Sequence, residues 1–444
     1  MLYKFKQSLR ILEKSLFETT SRLAVLKQHN FVDAGAKGFV LFIEGIIDFI
    51  KSRSIRHIVA GSVEPISLIH SEEMVDEQIL HRFCTEAIVR NLKTGKPELQ
   101  NLLNRYGDSV VIAGSESLSR IHLHTNKPAE LFHELRELGT ITYQKVDDMI
   151  RQHEAATQRK WNIALVTDST CDLSQEMLDQ YQINVVPLNI HFGENHFLDK
   201  VTIKPEQFYN YLYSNPEFPT TAQINEHTFT NLYSHLASHY DAIIAVHLTG
   251  QFSGTFQSSK KAAERINREF NKPVIVVDSK NLSGALGLIV LRVARAIESG
   301  HSIEAITDEL KTWIDQARIF VSVKTLKYMV RGGRVSKQKG LIASLLGIKP
   351  IVSMDSNGKS VLLGRAFSQQ ANINKVMKRI ETITGEKQIW NYIVLHAQNR
   401  AGADIYTAKM TRLTGKPPVS VVDISPVIGM NAGIGAVAVA LLPE

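Results

Sequence analysis

Two histidines in HLH, His122 and His124, and a distant cysteine, Cys84 in FCTE, have the types and spacing to hold a metal. On a strand, positions i and i+2 share one face about 7 Å apart, so both imidazoles reach a single ion. A thiolate from a neighbouring strand would complete three nitrogen and sulfur ligands of the kind zinc takes. His153, Glu86 or water are the candidates for a fourth. By spacing alone, a solvent-facing histidine pair beside a buried cysteine is the more ordinary arrangement.

Ser253-Gly254-Thr255 follows an apolar run at 242–248 and opens a helical stretch at 256–268. Unpaired backbone N–H groups, a helix dipole and two hydroxyls at such a point suit a carboxylate or phosphate, and a plain serine N-cap explains the same residues. Asp168-Ser169-Thr170-Cys171-Asp172 ends another strand, and Ser169 and Gly254 are expected beside Ser253 among the ligand contacts. Asp172 with Gln175 fits a capping box for a helix over 173–181, and Cys171 is expected as a small buried thiol. Arg331-Gly332-Gly333-Arg334 combines glycines that permit unusual backbone angles with guanidiniums that clamp an acidic group or pair with helix carboxylates. It has neither the spacing nor the Lys-Ser/Thr of a P-loop.

The elements that must position these groups belong to a globular chain of 444 residues, 44% hydrophobic and 21% charged, long enough for two or three domains. The net charge of +7 is scattered among acidic residues, so no nucleic-acid partner is expected. Two far-separated cysteines exclude a disulfide scaffold and fit a reducing cytoplasm. The run 427–442 is too short for a membrane span and reads as a buried glycine-rich turn followed by a core strand or helix.

Residues 1–55 carry apolar positions at helical spacing. Residues 56–155 read as a small α+β domain, with strands at 57–59, 83–89, 109–113 and 120–124 and a helix at 128–138. The polar run 151–160 has little to bury and is placed as the domain boundary. From 162 to 444, β-branched strands alternate with helices, implying a two-lobed α/β domain with mainly parallel sheets, the lobes spanning about 162–318 and 319–444.

Residues 162–444 resemble the DegV family, the fatty-acid-binding subunits of bacterial fatty acid kinase. The resemblance rests on TDST (167–170), VVPL (185–188), FPTTAQ (218–223), FSGTFQSS (252–259), VVDS (276–279), RGGRV (331–335), IKPIV (348–352) and VIGMNAGIGAVAV (427–439). It implies a lipid between two lobes, with the carboxyl group at Thr221, Ser253 and Asn431 and the family's arginines at Arg334 and Arg365. Ala222 stands where the family usually has serine, and Asn431 where it has histidine; asparagine still donates to a carboxylate but carries no charge near neutral pH. Each buried CH₂ contributes about 0.8 kcal/mol, so a long acyl chain supplies roughly 10 kcal/mol before ordering costs.

The first 155 residues are similar to another part of the same system, its kinase chain. VDAGAKG (32–38) resembles the end of the DhaL-type ATP-binding domain; FCTE, Gly107-Asp108-Ser109, HLHTN (122–126) and the segment 148–153 resemble the middle domain. In that family the cysteine and both histidines form a metal-linked site in a dimerising domain, which implies zinc at Cys84, His122 and His124 and a homodimer. The segment supplying the magnesium aspartates is not found, so kinase activity in this polypeptide alone is not expected. The expected function is therefore a non-catalytic carrier or presenter of a long-chain fatty acid, for which transient contact with a membrane surface is compatible. The alternatives are a component of an ATP-dependent, acyl-phosphate-forming kinase that needs a separate ATP-binding chain, or a dimerising scaffold with a vestigial lipid site.

Overall fold

The computed structural model describes residues 2–22, 33–52, 79–215, 217–333 and 347–444, in two compact units, 1–78 and 79–444. In the first, α1 (Leu2–Arg22) and α2 (Ala34–Ser52) pack together and bury Leu16, Val40 and Ile47. Asp33 caps α2 by accepting the Ala36 N–H at 2.7 Å, and its own N–H donates to Thr19 Oγ1 of α1 at 2.9 Å. The expected strand at 57–59 and the boundary at 55 lie outside the described residues.

The second unit begins with a small domain: β1 (Phe83–Arg90), α3 (Lys96–Leu103), β2 (Gly107–Ser115), β3 (Leu118–Thr125), α4 (Pro128–Leu138), β4 (Thr140–Asp148) and α5 (Met149–Thr157). The strands form an antiparallel sheet in the order β2-β3-β1-β4. Period-two alternation turns Ala87, Val89, Ile121 and Leu123 toward Leu99, Phe132 and Leu135 of the helices. The opposite face carries Cys84, Glu86, His122 and His124.

The polar run at 151–160 is not a bare linker, because α5 occupies most of it. Arg151 is 8% exposed, and its Nη2 donates to Asp179 Oδ1 at 2.5 Å and to the Leu178 carbonyl at 2.7 Å in the next domain. Arg82 bridges Asp148 at 2.7 Å and Asp179 at 2.8 Å. The Arg136 guanidinium lies 3.9 Å from the centroid of the Tyr211 ring. Within the run only Arg151 and Ala155 are buried, while residues 156–160 are exposed.

The large domain's first lobe contains β5 (Ile163–Asp168), α6 (Gln175–Gln180), β6 (Asn184–Val186), β7 (Asn189–Phe192), β8 (Asn195–Leu198), α7 (Pro205–Ser214), β9 (Thr220–Ala222), α8 (Glu226–His239), β10 (Ala242–His247), α9 (Thr255–Phe270), β11 (Val274–Asp278), α10 (Ser283–Glu298) and α11 (Ile303–Gln316). Its main sheet, β11-β10-β5-β6, is parallel throughout; β8-β7-β9 form an antiparallel flap. The second lobe contains β12 (Arg318–Ser322), α12 (Lys327–Arg331), β13 (Lys349–Met354), β14 (Ser360–Ala366), α13 (Gln369–Glu386), β15 (Ile389–His396), α14 (Arg400–Thr414), β16 (Val421–Asp423), α15 (Pro426–Ala432) and β17 (Val437–Pro443).

The second lobe's sheet, β14-β13-β12-β17-β15-β16, corrects the expectation of mainly parallel strands: its one parallel pair is β15 with β16. Fully buried β17 runs antiparallel between β12 and β15. Being covered on both faces, it has the same continuous apolar pattern as a parallel strand.

Helix α10 is buried along nearly its whole length and packs on β5 and β10 of one sheet and on β15 and β17 of the other. Gly284 permits the approach, since a Cβ there would fall 2.7 Å from Leu395 Cδ1 and 2.9 Å from Ala440 Cβ.

Candidate functional site

A cavity of about 250 Å³ lies between the two lobes. The first lobe contributes Leu188, Leu248 and Leu282, and the second Ile319, Val352 and Ile428, making an apolar chamber. Four residues singled out from the sequence reach it: Thr221, Ser253, Gly254 and Asn431. Thr221 sits on β9, opposite Ile190 of β7. Gly254 starts α9, a helix of 16 residues. Ser253 Oγ accepts the Thr255 N–H at 3.2 Å and lies 2.9 Å from Thr255 Oγ1, which itself accepts the Ile224 N–H at 3.4 Å. With Thr255 donating to Ser253, the Ser253 proton is free to point at a ligand.

Asn431 projects from α15. Its Nδ2 donates to the Val427 carbonyl at 3.2 Å, leaving a second N–H proton. Its Oδ1 packs on Gly332, where a Cβ would come within 2.0 Å of that oxygen. One glycine of the RGGR motif is thus dictated by contact with the cavity's own asparagine. Of the two glycines expected to need unusual backbone angles, Gly333 takes a φ of +74°, whereas Gly332 keeps a right-handed helical backbone. Arg334 lies outside the described residues, and Arg365 is an exposed residue of β14.

Ser169 has a different place. It is buried behind the chamber, where its hydroxyl donates to Asp199 Oδ2 at 2.6 Å and accepts the Leu188 N–H at 3.1 Å. Asp172 does not cap α6, whose N-cap is Ser174. Instead Asp172 Oδ1 meets Lys200 Nζ at 2.6 Å and accepts the Ser425 N–H at 3.2 Å, while Oδ2 accepts the Ser283 hydroxyl at 2.6 Å. Asp199 Oδ1 accepts the Val427 N–H at 3.4 Å, and Tyr209 donates to the Ile424 carbonyl at 3.0 Å. Burial pushes the Asp199 carboxyl up to about 7 despite Lys200. Burial alone would lower Lys200, but Asp172 and Asp199 outweigh it and hold the ammonium above its ordinary value.

Cys171 is buried as expected, and burial raises its thiol to about 12, unsuited to a nucleophile. No Ser-His-Asp order is legible in the sequence, yet the fold assembles one. His247 Nδ1 lies 3.1 Å from Asp168 Oδ2, and its Nε2 lies 2.9 Å from Ser259 Oγ, which in turn is 2.6 Å from the Tyr233 hydroxyl. All four residues are fully buried and none lines the cavity. This chain satisfies polar groups under the parallel sheet; a substrate has no access to it.

In the small domain, β1 and β3 pair so that Cys84 faces His124 and Glu86 faces His122. One donor atom each from Cys84, His122 and His124 lie within 4.8 Å of one another. Burial, then Asp147, raises the Cys84 thiol, and burial, then His122, lowers His124. A divalent ion reverses the first effect and needs the neutral imidazole that the second provides. Glu86 Oε1 is 4.0 Å from His122 Nδ1, but Glu86 is also paired with Arg120 at 2.5 Å. His153 sits on α5, bonded to Thr157 at 3.1 Å, and is not part of the cluster.

The fold is thus a two-lobed α/β ligand-binding domain with a cavity between the lobes, preceded by a four-stranded sheet domain. Residues 162–444 match the uncharacterised DegV protein family, and the chain belongs to it. Residues 81–156 match the FakA-like middle domain of fatty acid kinase.

A DegV domain-containing protein of Clostridium perfringens is 33% identical over 244 residues, covering 55% of this chain and 85% of the relative. Another, from Staphylococcus aureus, is 32% identical over 284 residues, covering 63% and 98%. Among solved structures, the fatty-acid-binding DegV protein of Bacillus subtilis superposes with a TM-score of 0.58 at 29% identity, covering 64% of this chain and all (100%) of that one. The fatty-acid-binding DegV family protein of Thermus thermophilus gives 0.58 at 28%, with the same coverage of 64% and 100%.

Proposed function

We propose that this chain binds a long-chain fatty acid as a carrier or presenting protein, the carboxyl group held by Thr221 and Ser253 with Gly254 and Asn431 beside them. The observation that carries this reading is the apolar chamber between the lobes, whose lining includes uncharged donors from a threonine, a serine and an asparagine. The Bacillus and Thermus structures, both of fatty-acid-binding proteins, support it. Arg334 is proposed as a further contact on the family motif alone. Ser169 is proposed to act indirectly, by holding Asp199, because its hydroxyl is already engaged. Native mass spectrometry of protein expressed in bacteria is the test, with a long-chain acid as the expected adduct. Protein that is repeatedly isolated empty and ignores added palmitate or oleate overturns the reading.

The middle-domain match favours a second, compatible role as a non-catalytic component of an ATP-dependent fatty acid kinase, working with a separate ATP-binding chain in the cytoplasm. Acyl phosphate formation from bound lipid, measured with and without such a chain, tests it. Within the small domain, Cys84, His122 and His124 are proposed to hold zinc, whose donor set and spacing they fit. The ion would tie β1 to β3 on the open face of the sheet, and homodimerisation is proposed through this domain. Sedimentation of the full chain with and without chelator reads both effects.

A further inference from the structure

The second lobe's segment 424–432 forms one wall of the chamber through Ile424, Val427, Ile428 and Asn431. Three groups of the first lobe grip its start: Asp172 at the Ser425 N–H, Asp199 at the Val427 N–H, and Tyr209 at the Ile424 carbonyl. The side chains of both aspartates are inaccessible to solvent; Lys200, whose side chain is a quarter exposed (25%), pairs with Asp172 and acts electrostatically on Asp199. Lys200 contacts Asp172 at 2.6 Å and also donates to the Cys171 carbonyl at 3.0 Å. Among the described residues the cluster therefore holds two carboxylates to one ammonium group.

We infer that Asp172, Lys200 and Asp199 form an interlobe clamp that positions the wall of the lipid chamber, and that the wall closes with uptake of one proton at Asp199. The inference rests on the lipid-binding reading for its consequence, ligand retention, but not for the clamp itself. Asp199 is the carboxyl of this cluster that burial pushes up to about 7. Cys171 is held as a neutral thiol, and burial keeps the Tyr209 phenol protonated. Lys200 stays charged. Asp423, which acts on Tyr209 from β16, is 46% exposed and paired with His396 at 3.0 Å.

The direction follows from solvation. With the wall open, Asp199 regains water and ionises as an ordinary aspartate; with the wall closed, burial favours the protonated form. The closed state binds the proton more tightly, so lower pH favours closure. When protonated, Asp199 donates to Ser169 Oγ, and its remaining oxygen still accepts the Val427 N–H.

The test is the rate at which palmitate leaves the full-length protein, measured from pH 6 to pH 8 for the wild type and for Asp199→Asn, which mimics the protonated acid. Release is expected to be about tenfold faster at pH 8 than at pH 6 in the wild type, the slope of a single proton half-bound near 7. Asp199→Asn should release slowly across the range. A flat wild-type profile, or the wild-type slope surviving in Asp199→Asn, overturns the inference.

Hydrogen exchange of the 424–432 backbone in ligand-free wild type, corrected for intrinsic pH dependence, needs neither variant nor lipid. Protection that weakens from pH 6 to pH 8 supports the clamp, and protection independent of pH sinks it. A wild type that binds neither palmitate nor oleate defeats the lipid reading, and the exchange result then decides the clamp by itself.

Discussion

The Ser283 hydroxyl donates to Asp172 Oδ2 at 2.6 Å, so a residue that lines the chamber is fastened to a buried carboxylate that also holds the opposite lobe. Ser283 adopts a left-handed backbone with φ of +55°, a conformation that a non-glycine residue keeps only under firm tertiary restraint. Asp172→Ala removes that restraint and strips Lys200 of its nearest partner. Loss of one member of a buried pair costs about 3–5 kcal/mol, which should appear as a large drop in the urea midpoint. A midpoint within experimental error of the wild type counts against Asp172 as a keystone.

Thr221→Ala and Ser253→Ala test the head-group assignment. A hydrogen bond to a charged group is worth about 1.5–3 kcal/mol, so each change should weaken palmitate binding by roughly tenfold or more. Thermal stability should hold in Thr221→Ala, whereas Ser253→Ala also removes the acceptor of the Thr255 N–H at the start of α9 and should cost about 1 kcal/mol. Calorimetry in which the double variant binds as tightly as the wild type would place the carboxyl group elsewhere.

The pH dependence of folding carries the sign of Asp199. Its carboxyl is raised from 3.8 to about 7 in the folded protein. As pH climbs through this window the unfolded chain releases the proton first, so the folded state binds more protons and stability falls with rising pH. Above about 7 the loss is complete. Asp199→Asn should therefore match the wild type near pH 4 and exceed it at pH 8. Equal unfolding midpoints at pH 8 would contradict the raised value.

Metal content should follow the thiol. Wild-type protein purified without chelator is expected to contain close to one zinc per chain, and Cys84→Ser much less, because three ligands drop to two. Equal and negligible zinc in both proteins sinks the proposed site.

Gly332→Ala forces a Cβ to within 2.0 Å of Asn431 Oδ1. The backbone at Gly332 is right-handed helical, so the conflict is one of space alone. The single variant should lose both stability and lipid affinity. Adding Asn431→Ala should restore much of the stability by making room, a coupling that a double-mutant cycle measures. Additive losses would mean that the two residues do not meet.

The sequence patterns are legible where local rules and tertiary needs agree. The helix at 128–138 and the runs at 163–167, 242–248 and 274–277 occupy elements of the expected type. Thr221, Ser253, Gly254 and Asn431, spread over more than two hundred positions, line one chamber. Asp172 misleads because a capping-box spacing says nothing of Lys200 or Ser425, which lie outside the local window. Ser169 stands at a strand end, where ligand contacts are expected, but its hydroxyl is taken by Asp199. Strand direction in the second lobe leaves no mark, since a doubly covered strand has the same hydropathy in either sense. Short β7, β8 and β9 carry too few residues for a period to emerge. The Asp168–His247 contact spans 79 positions, beyond any spacing argument.

Helix α10 serves both sheets at once, with Gly284 pressed against the second. The two lobes therefore share a spine instead of a hinge, and swinging them apart would expose the most deeply packed helix of the domain. Cargo exchange must proceed by yielding at the rim while the backbone of the clamshell stays shut. Solution scattering should accordingly record the same envelope for loaded and empty protein.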